Sequence, residues 1–236
     1  MQITKLRGLT GAAFLLMIGI IALGYLVAGG INAFAEKDRY VTVKGLAERE
    51  VLANKVVWPL PFNSVGNNLS ELYNTVEDKR NIIISFLKSN GITDEEIIVS
   101  APMATDREAQ SYVPDNMKYR YSVESLITVI SSQVTKVIEL KERQAELLKK
   151  GVVISEDYMS QTRFEFTQLN DLKPSMIEEA TRNARAVAQK FADDSDSKLG
   201  GIRQAYQGQF TINNSDETTP QIKRVRVVTT VDYYLK

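Results

Sequence analysis

Asn68–Gly91, NLSELYNTVEDKRNIIISFLKSNG, is the stretch from which the fold is read. Leu69, Leu72, Tyr73, Val76, Ile83, Phe86 and Leu87 recur at spacings of three and four, which is one face of an α-helix. Asn68 and Glu71 have capping-box spacing, and Asn90-Gly91 closes the segment with a residue that takes a left-handed backbone. On both sides the period changes to two. Upstream, Tyr40–Ala47 (YVTVKGLA) and Glu48–Phe62 read as strands. The second ends in VVWPLPF, apolar on both faces. Pro59 and Pro61 share one face and have no N–H for a ladder, so this is an edge strand or a strand end.

Downstream, Ile97–Ala101 is a short strand and Pro102–Met117 a polar connection with the turn signal Pro114-Asp115-Asn116. Lys118–Ile130 alternates, with Tyr119, Tyr121, Val123, Ile127 and Val129 on one face. A second helix covers Ser132–Lys150, its buried side Val134, Val137, Ile138, Ala145 and Leu148, and Gly151 stops it. Val152–Thr167 carries strand signals around Phe164 and Phe166. Pro174 opens a third helix, with Ser175 and Glu178 at capping-box spacing and a narrow face of Ile177, Ala180, Ala184, Val187, Ala188 and Phe191. Gly200-Gly201 ends it. Strands at Ile202–Ile212 and Ile222–Leu235 follow, joined by the polar tip NNSDETTPQ.

The order is ββ-α-β-β-α-β-α-β-β. Strands two to five read β-α-β-β-α-β, the split βαβ pattern of ferredoxin-like units. The expected class is α+β: mixed sheet or sheets with about three helices, following a single N-terminal transmembrane helix.

That helix is expected because no charged residue stands between Arg7 and Glu36, while Lys5 and Arg7 sit just before the apolar run. About 20 apolar helical residues cross a bilayer. Residues 8–30 would contact the lipid, and residues 1–35 form a cytoplasmic stub and anchor. The basic flank places the N-terminus in the cytoplasm and residues 36–236 outside it. Ala33-Phe34-Ala35 has the form of a signal-peptidase site, so a cleaved signal peptide is the competing reading. Both leave the domain extracytoplasmic. Gly24 and Ala28 have helix-packing spacing but are read as ordinary membrane-helix usage.

The chain has 236 residues, 29 basic and 29 acidic, with no Cys and no His. Without Lys5 and Arg7 the remainder is slightly acidic, so its field attracts no nucleic acid. Missing Cys excludes thiol catalysis, disulfides and thiolate metal sites. Missing His excludes Ser-His-Asp and Cys-His arrangements, HExxH sites and the commonest neutral-pH base. Carboxylate, Lys, Ser and Tyr chemistry remains.

Three places share a pattern with a known family. Val41-Thr42-Val43-Lys44-Gly45 resembles a V-x-V-x-G start. Helix one is followed by Gly91-Ile92 and a strand. Ala180, Ala184-Arg185, Ala188 and Ala192, then Leu199-Gly200, resemble an A-R-x-x-A helix with a closing Leu-Gly. Over about residues 40–236 the chain therefore resembles the SIMPL-domain family of bacterial periplasmic or membrane-anchored proteins. It departs at Ala53-Asn54-Lys55, where the family often has Pro-Asp, and at Asp193–Lys198, which lengthens helix three. The resemblance implies an extracytoplasmic α+β domain that assembles into rings or cages, linked to envelope maintenance and stress tolerance. It implies no catalytic residues, and none are carried over.

Asp193-Asp194-Ser195-Asp196 is acidic, but an EF-hand loop from Asp194 needs Asp or Asn where Lys198 stands, so a solvated helix end is expected. Ser85…Lys88 and Ser195…Lys198 match S-x-x-K without the accompanying motifs. Lys223-Arg224-Val225-Arg226 puts both arginines on one strand face, solvated or paired across strands. No catalytic, cofactor-binding or metal residues are expected, and no cofactor. Tyr112, Pro114 and Asp115 are the candidate oligomer contacts, on a loop read as an arm that reaches a neighbouring subunit. The expected function is a non-enzymatic, membrane-tethered domain that forms a large homo-oligomer. The alternative is a monomeric or dimeric adaptor or binding module for an envelope partner or ligand.

Overall fold

The computed structural model describes residues 16–30, 39–110, 118–155 and 160–236. Residues 16–30 are helical (α1) and exposed throughout. The chain divides into two compact units.

One unit comprises Arg49–Asp171 and Ile212–Val225. Its five-stranded sheet has the order β3-β5-β2-β6, formed by β2 (Lys55–Gly66), β3 (Ile97–Val99), β5 (Tyr121–Ser131) and β6 (Arg163–Glu165). β4 (Met103–Asp106) also pairs β5. All these pairings are antiparallel. β2 and β3 therefore run parallel with β5 between them, joined by α2 (Leu69–Ser89). Strand pleating sends alternate residues to one face. Val56, Trp58, Leu60 and Phe62 of β2 and Val123, Ile127 and Val129 of β5 thus meet in one core, in the register Trp58↔Val129 and Leu60↔Ile127.

α2 closes that core with Leu72, Val76, Ile83, Phe86 and Leu87. Its start is capped as the sequence indicates: Asn68 Oδ1 accepts from the Ser70 and Glu71 N–H groups at 3.0 and 3.4 Å, and Asn68 Nδ2 donates to Glu71 at 3.0 Å. α3 (Val134–Glu142) and α4 (Ala145–Lys149) add Val134, Val137, Leu140 and Leu147. β2 is internal in the sheet, yet past Val57 its β6 side is met only by a bridge between Phe62 and Ile154 among the described residues. Pro59 and Pro61 occupy that open side, and the Pro61 carbonyl accepts from Ser155 N–H at 2.8 Å.

The other unit comprises the residues up to Glu48, Leu172–Thr211 and Arg226–Lys236. The long strands β1 (Tyr40–Leu52) and β9 (Ile222–Leu235) contribute most of their length here, with β7 (Leu199–Gln207), in the order β1-β9-β7. β8 (Thr211–Asn214) also pairs β9. α5 (Leu169–Asp194) buries a single row at i, i+4 spacing: Met176, Ala180, Ala184, Ala188 and Ala192, each with no exposed surface. Val43, Val231 and Tyr233 pack against Ala184 and Ala188. A Cβ placed on Gly45 would lie 1.8 Å from the Ala180 carbonyl oxygen and 2.5 Å from the Ala184 nitrogen. The helix backbone therefore rests on the strand where glycine stands. The V-x-V-x-G start and the alanine row form one helix–sheet contact.

Several expectations are corrected. The two sheets are antiparallel rather than mixed, and after the N-terminal helix four α-helices lie among the described residues where about three are expected, because the second is split in two. The first strand continues to Leu52, because the break comes at Ala53-Asn54, where Asn54 Oδ1 accepts from Thr167 N–H at 2.8 Å. The connection after Ala101 contains β4, four residues with no apolar alternation to signal them. The second helix breaks at Arg143, which turns Leu140 and Leu147 inward and leaves Ala145 and Leu148 outside. α5 starts five residues before Pro174, and Ser175 Oγ donates to the Leu172 carbonyl within the helix instead of capping it. Val187 and Phe191, expected inside, are 39% and 55% exposed, since a backbone this close admits only the row that touches it. In the final strand Val225, Val227, Val231 and Tyr233 point inward.

Among the described residues, no helix is long and apolar enough to cross a membrane. Residues 1–15 and 31–38, which include the basic flank and Ala33-Phe34-Ala35, lie outside the described residues.

Replacing Gly45 with Ala forces the helix backbone off the strand. Overpacking of a fixed contact costs about 1–3 kcal/mol and sometimes more, and Gly45→Ala is expected at or above the top of that range in chemical denaturation followed by circular dichroism. Gly201→Ala, which places a Cβ in open space, is expected to change stability by less than about 0.5 kcal/mol.

Candidate assembly surface

Tyr112, Pro114 and Asp115 lie in residues 111–117, outside the described residues. Both ends of their loop are described, and they are clamped together. Asp106 ends β4 and caps the short 3-10 turn Arg107–Ala109, its Oδ1 accepting from Glu108 N–H at 3.1 Å. Fourteen positions on, Arg120 grips the same carboxylate with two nitrogens: Nε to Oδ1 at 3.1 Å and Nη2 to Oδ2 at 2.7 Å. Its Nη1 reaches Glu108 at 2.9 Å, and the guanidinium lies over the Tyr121 ring at 5.0 Å.

The backbones join too. Arg107 N–H donates to the Arg120 carbonyl at 2.9 Å, and Asn67 Oδ1 accepts from Arg120 N–H at 2.9 Å. The Arg120 hydrogen bonds hold the Asp106 carboxyl below its ordinary range, and Asp106 raises the Arg120 guanidinium in turn. Exposed ion pairs usually contribute little, but a two-pronged Arg–carboxylate pair has the geometry that does. This clamp was not legible in advance. Its only signal is a single Asp and a single Arg at the two loop ends.

Apolar surface flanks the clamp. Leu69 and Tyr73, read from the sequence as core residues, are about half exposed and line a hollow of about 480 Å³ with Pro102, Ala104 and Val123. On the outer face of the same sheet, a cleft of about 450 Å³ is lined by Val57, Pro59, Pro61, Met103 and Leu126, with Met103 69% exposed. Contiguous apolar surface of this kind marks interaction sites.

The other candidates resolve structurally. Ser195 Oγ donates to the Phe191 and Ala192 carbonyls, Asp193 accepts from Gln189 Nε2 at 2.8 Å, and no metal-holding group occurs among the described residues. Lys88 of the first S-x-x-K match pairs with Asp94 at 2.5 Å. Arg224 pairs with Glu50 at 3.3 Å, the cross-strand role expected for it, while Lys223 turns inward to Asn214 Oδ1. One Ser–Lys contact was missed: Lys79 Nζ donates to Ser64 Oγ at 2.7 Å and to the Asn63 carbonyl at 3.1 Å. Burial lowers the Lys79 pKa, but Ser64 faces the packed side of β2 and lines neither cleft of this sheet.

The fold is thus an α+β domain with a clamped loop, apolar outer surface and carboxylates engaged in structural hydrogen bonds. The SIMPL family model, described as a protein of unknown function (DUF541), matches residues 41–232, and the chain belongs to that family. The match begins at the V-x-V-x-G strand and ends in β9, so it takes in both halves of the Gly45 contact. No curated protein matches the chain.

The clamp has a defined acid response. A carboxyl lowered by folding contributes stability above its unfolded pKa, about 3.9 for Asp, and that contribution is lost as pH falls through the lower folded value. Hydrogen-exchange protection of the Arg107 and Arg120 amides is therefore expected to fall below about pH 4, ahead of the core amides of β2. In Asp106→Asn the same amides are expected to start less protected and to lose this step.

Proposed function

We propose that this chain is a membrane-tethered, extracytoplasmic and non-enzymatic domain that assembles into a large homo-oligomer with a structural role in the cell envelope. The observation that carries the proposal is the pairing of clamped loop ends, at Asp106 and Arg120, with exposed apolar surface beside them. Arg120, Asp106 and Asn67 fix where the loop leaves the sheet. Leu69, Tyr73 and Met103 offer the apolar surface that a neighbour covers. Tyr112, Pro114 and Asp115 are the contacts assigned to the arm.

The anchor is residues 8–30, supported by their uncharged composition and the basic residues before them. Tethering many copies to one bilayer raises their effective concentration, so individually weak contacts suffice for assembly.

Light scattering of the detergent-extracted full chain, beside a variant starting at Glu36, is the test. A large discrete oligomer is expected in both. A monomer in both overturns the assembly reading and leaves the adaptor alternative. Replacing residues 111–117 with a Gly-Ser linker keeps Asp106 and Arg120 in place. It is expected to reduce the oligomer to a smaller species without shifting the melting temperature; an unchanged mass removes the arm from the interface.

A further inference from the structure

The A-R-x-x-A stretch of α5 leaves an arginine outside its packing row. Ala184 and Ala188 are fully buried against the sheet, but Arg185 between them is exposed and has no hydrogen-bond or ion-pair partner among the described residues. Arg182, three positions earlier and so on a neighbouring part of the helix surface, is also exposed and unpaired. Both line a cleft of about 520 Å³ with Gly200, Gly201, Ile202 and Tyr233. Several other guanidinium groups of the chain are engaged: Arg80 with Glu77, Arg120 with Asp106, Arg143 with Glu146 and Arg224 with Glu50.

The wall opposite the arginines is a β-bulge. Leu199 pairs with Leu235 and Ile202 with Tyr233, so Gly200 and Gly201 together oppose Tyr234 alone. A bulge takes a peptide group out of the ladder and frees backbone polar groups for other partners. A Cβ on Gly200 would meet the Tyr234 carbonyl at 2.9 Å, which fixes glycine there by packing. A Cβ on Gly201 meets nothing within 4 Å, so that glycine leaves room in the cleft.

We propose that this cleft binds a phosphate group, held by the Arg182 and Arg185 guanidinium forks against the Gly200-Gly201 bulge. Each guanidinium presents donors in a fixed plane that matches oxoanion geometry, and two forks with backbone N–H groups supply more donors than the two oxygens of a carboxylate accept. Glu178 also lines the cleft and is ion-paired to neither arginine, so its charge opposes an anion there. The phosphate is a lipid headgroup or a soluble phosphate ester. The inference stands apart from the assembly proposal, because the residues belong to the other compact unit and no subunit contact enters the argument.

The test uses the full chain in neutral detergent. Calorimetric titration and ³¹P line broadening are followed with glycerol 3-phosphate, with short-chain phosphatidylglycerol, and with acetate as the carboxylate control. Binding of one or both phosphate probes is expected, weakened at least about tenfold in R182Q/R185Q. Glu178→Gln is expected to tighten it. Gly201→Val, which fills the cleft without changing charge, is expected to abolish it, and Arg226→Gln, an exposed arginine outside the cleft, to leave it unchanged. Binding of phosphatidylglycerol alone assigns a lipid headgroup; binding of both probes assigns phosphate esters generally. Absence of binding to either probe, equal binding of acetate, or binding that survives both R182Q/R185Q and Gly201→Val overturns the proposal. Because every substituted residue except Gly201 carries an exposed side chain, circular dichroism of the variants is expected to match that of the parent.

Discussion

The unit built on α5 depends on one contact: the bare α-carbon of Gly45 against the backbone of Ala180 and Ala184. A helix usually meets a sheet through layers of interdigitated side chains. Here there is no side chain on the strand and only a methyl on the helix, so main chain lies on main chain. The consequence is geometric. Only the row that faces the strand, from Met176 to Ala192, loses all contact with solvent. The neighbouring apolar residues Val187 and Phe191 stay outside. Alanine gives little apolar area per residue, so cohesion here comes from close packing along the whole row, and a single added methyl at Gly45 disturbs all of it.

The other unit solves the same problem by the opposite route. Trp58, Phe62 and Phe86 are fully or nearly fully buried, and one sheet face is covered by bulky residues of α2, α3 and α4. The remaining face carries apolar residues too, since Val57, Pro59 and Pro61 lie there in register with Ile130, Thr128 and Leu126. The prolines protect as well as expose. They withhold N–H groups along the open side of β2, which discourages indiscriminate strand addition, while their rings and Met103 leave a surface that side chains can cover. A sheet that resists edge pairing but offers an apolar face suits specific docking.

Much of this was legible from residue order. The helix at Leu69–Ser89 and its Asn68 cap follow from periodicity and capping chemistry, and Pro59 and Pro61 mark a side of β2 without a full ladder although the strand is internal. What was not legible depends on contacts between distant parts of the chain. Leu69 and Tyr73 satisfy the helical pattern yet lie beyond the edge of the core, because periodicity gives direction on a helix and not how far the opposing sheet extends. Nothing in Arg143 announces that the second helix breaks there. Asp106, in the expected connection, and Arg120, in the expected strand, show nothing of their pairing until β4 and β5 meet. The alanine row and the V-x-V-x-G strand were both visible; that they are two sides of one contact required the register.

The charged groups bear on whether this is a catalyst. A general acid needs a carboxyl held protonated near working pH, which burial and like charge achieve by raising its pKa. Here the shifts run the other way. Asp106 is lowered chiefly by Arg120, Glu146 by Arg143, Glu50 by Ser215 and Arg224, and Asp216 by Thr219 and Thr218 of the hairpin tip. For Glu96, burial alone would raise the carboxyl, but hydrogen bonds from Ser131 and Thr93 outweigh it. These carboxylates are held ionised as caps and clamps. Lys79 and Lys223 are lowered by burial, the direction that suits a base, yet each donates its hydrogen bonds to neighbours in its own unit, Ser64 with the Asn63 carbonyl and Asn214. The chain has no histidine or cysteine, so acid–base work would fall to these carboxylates and lysines, and the ones named here are engaged in structural hydrogen bonds.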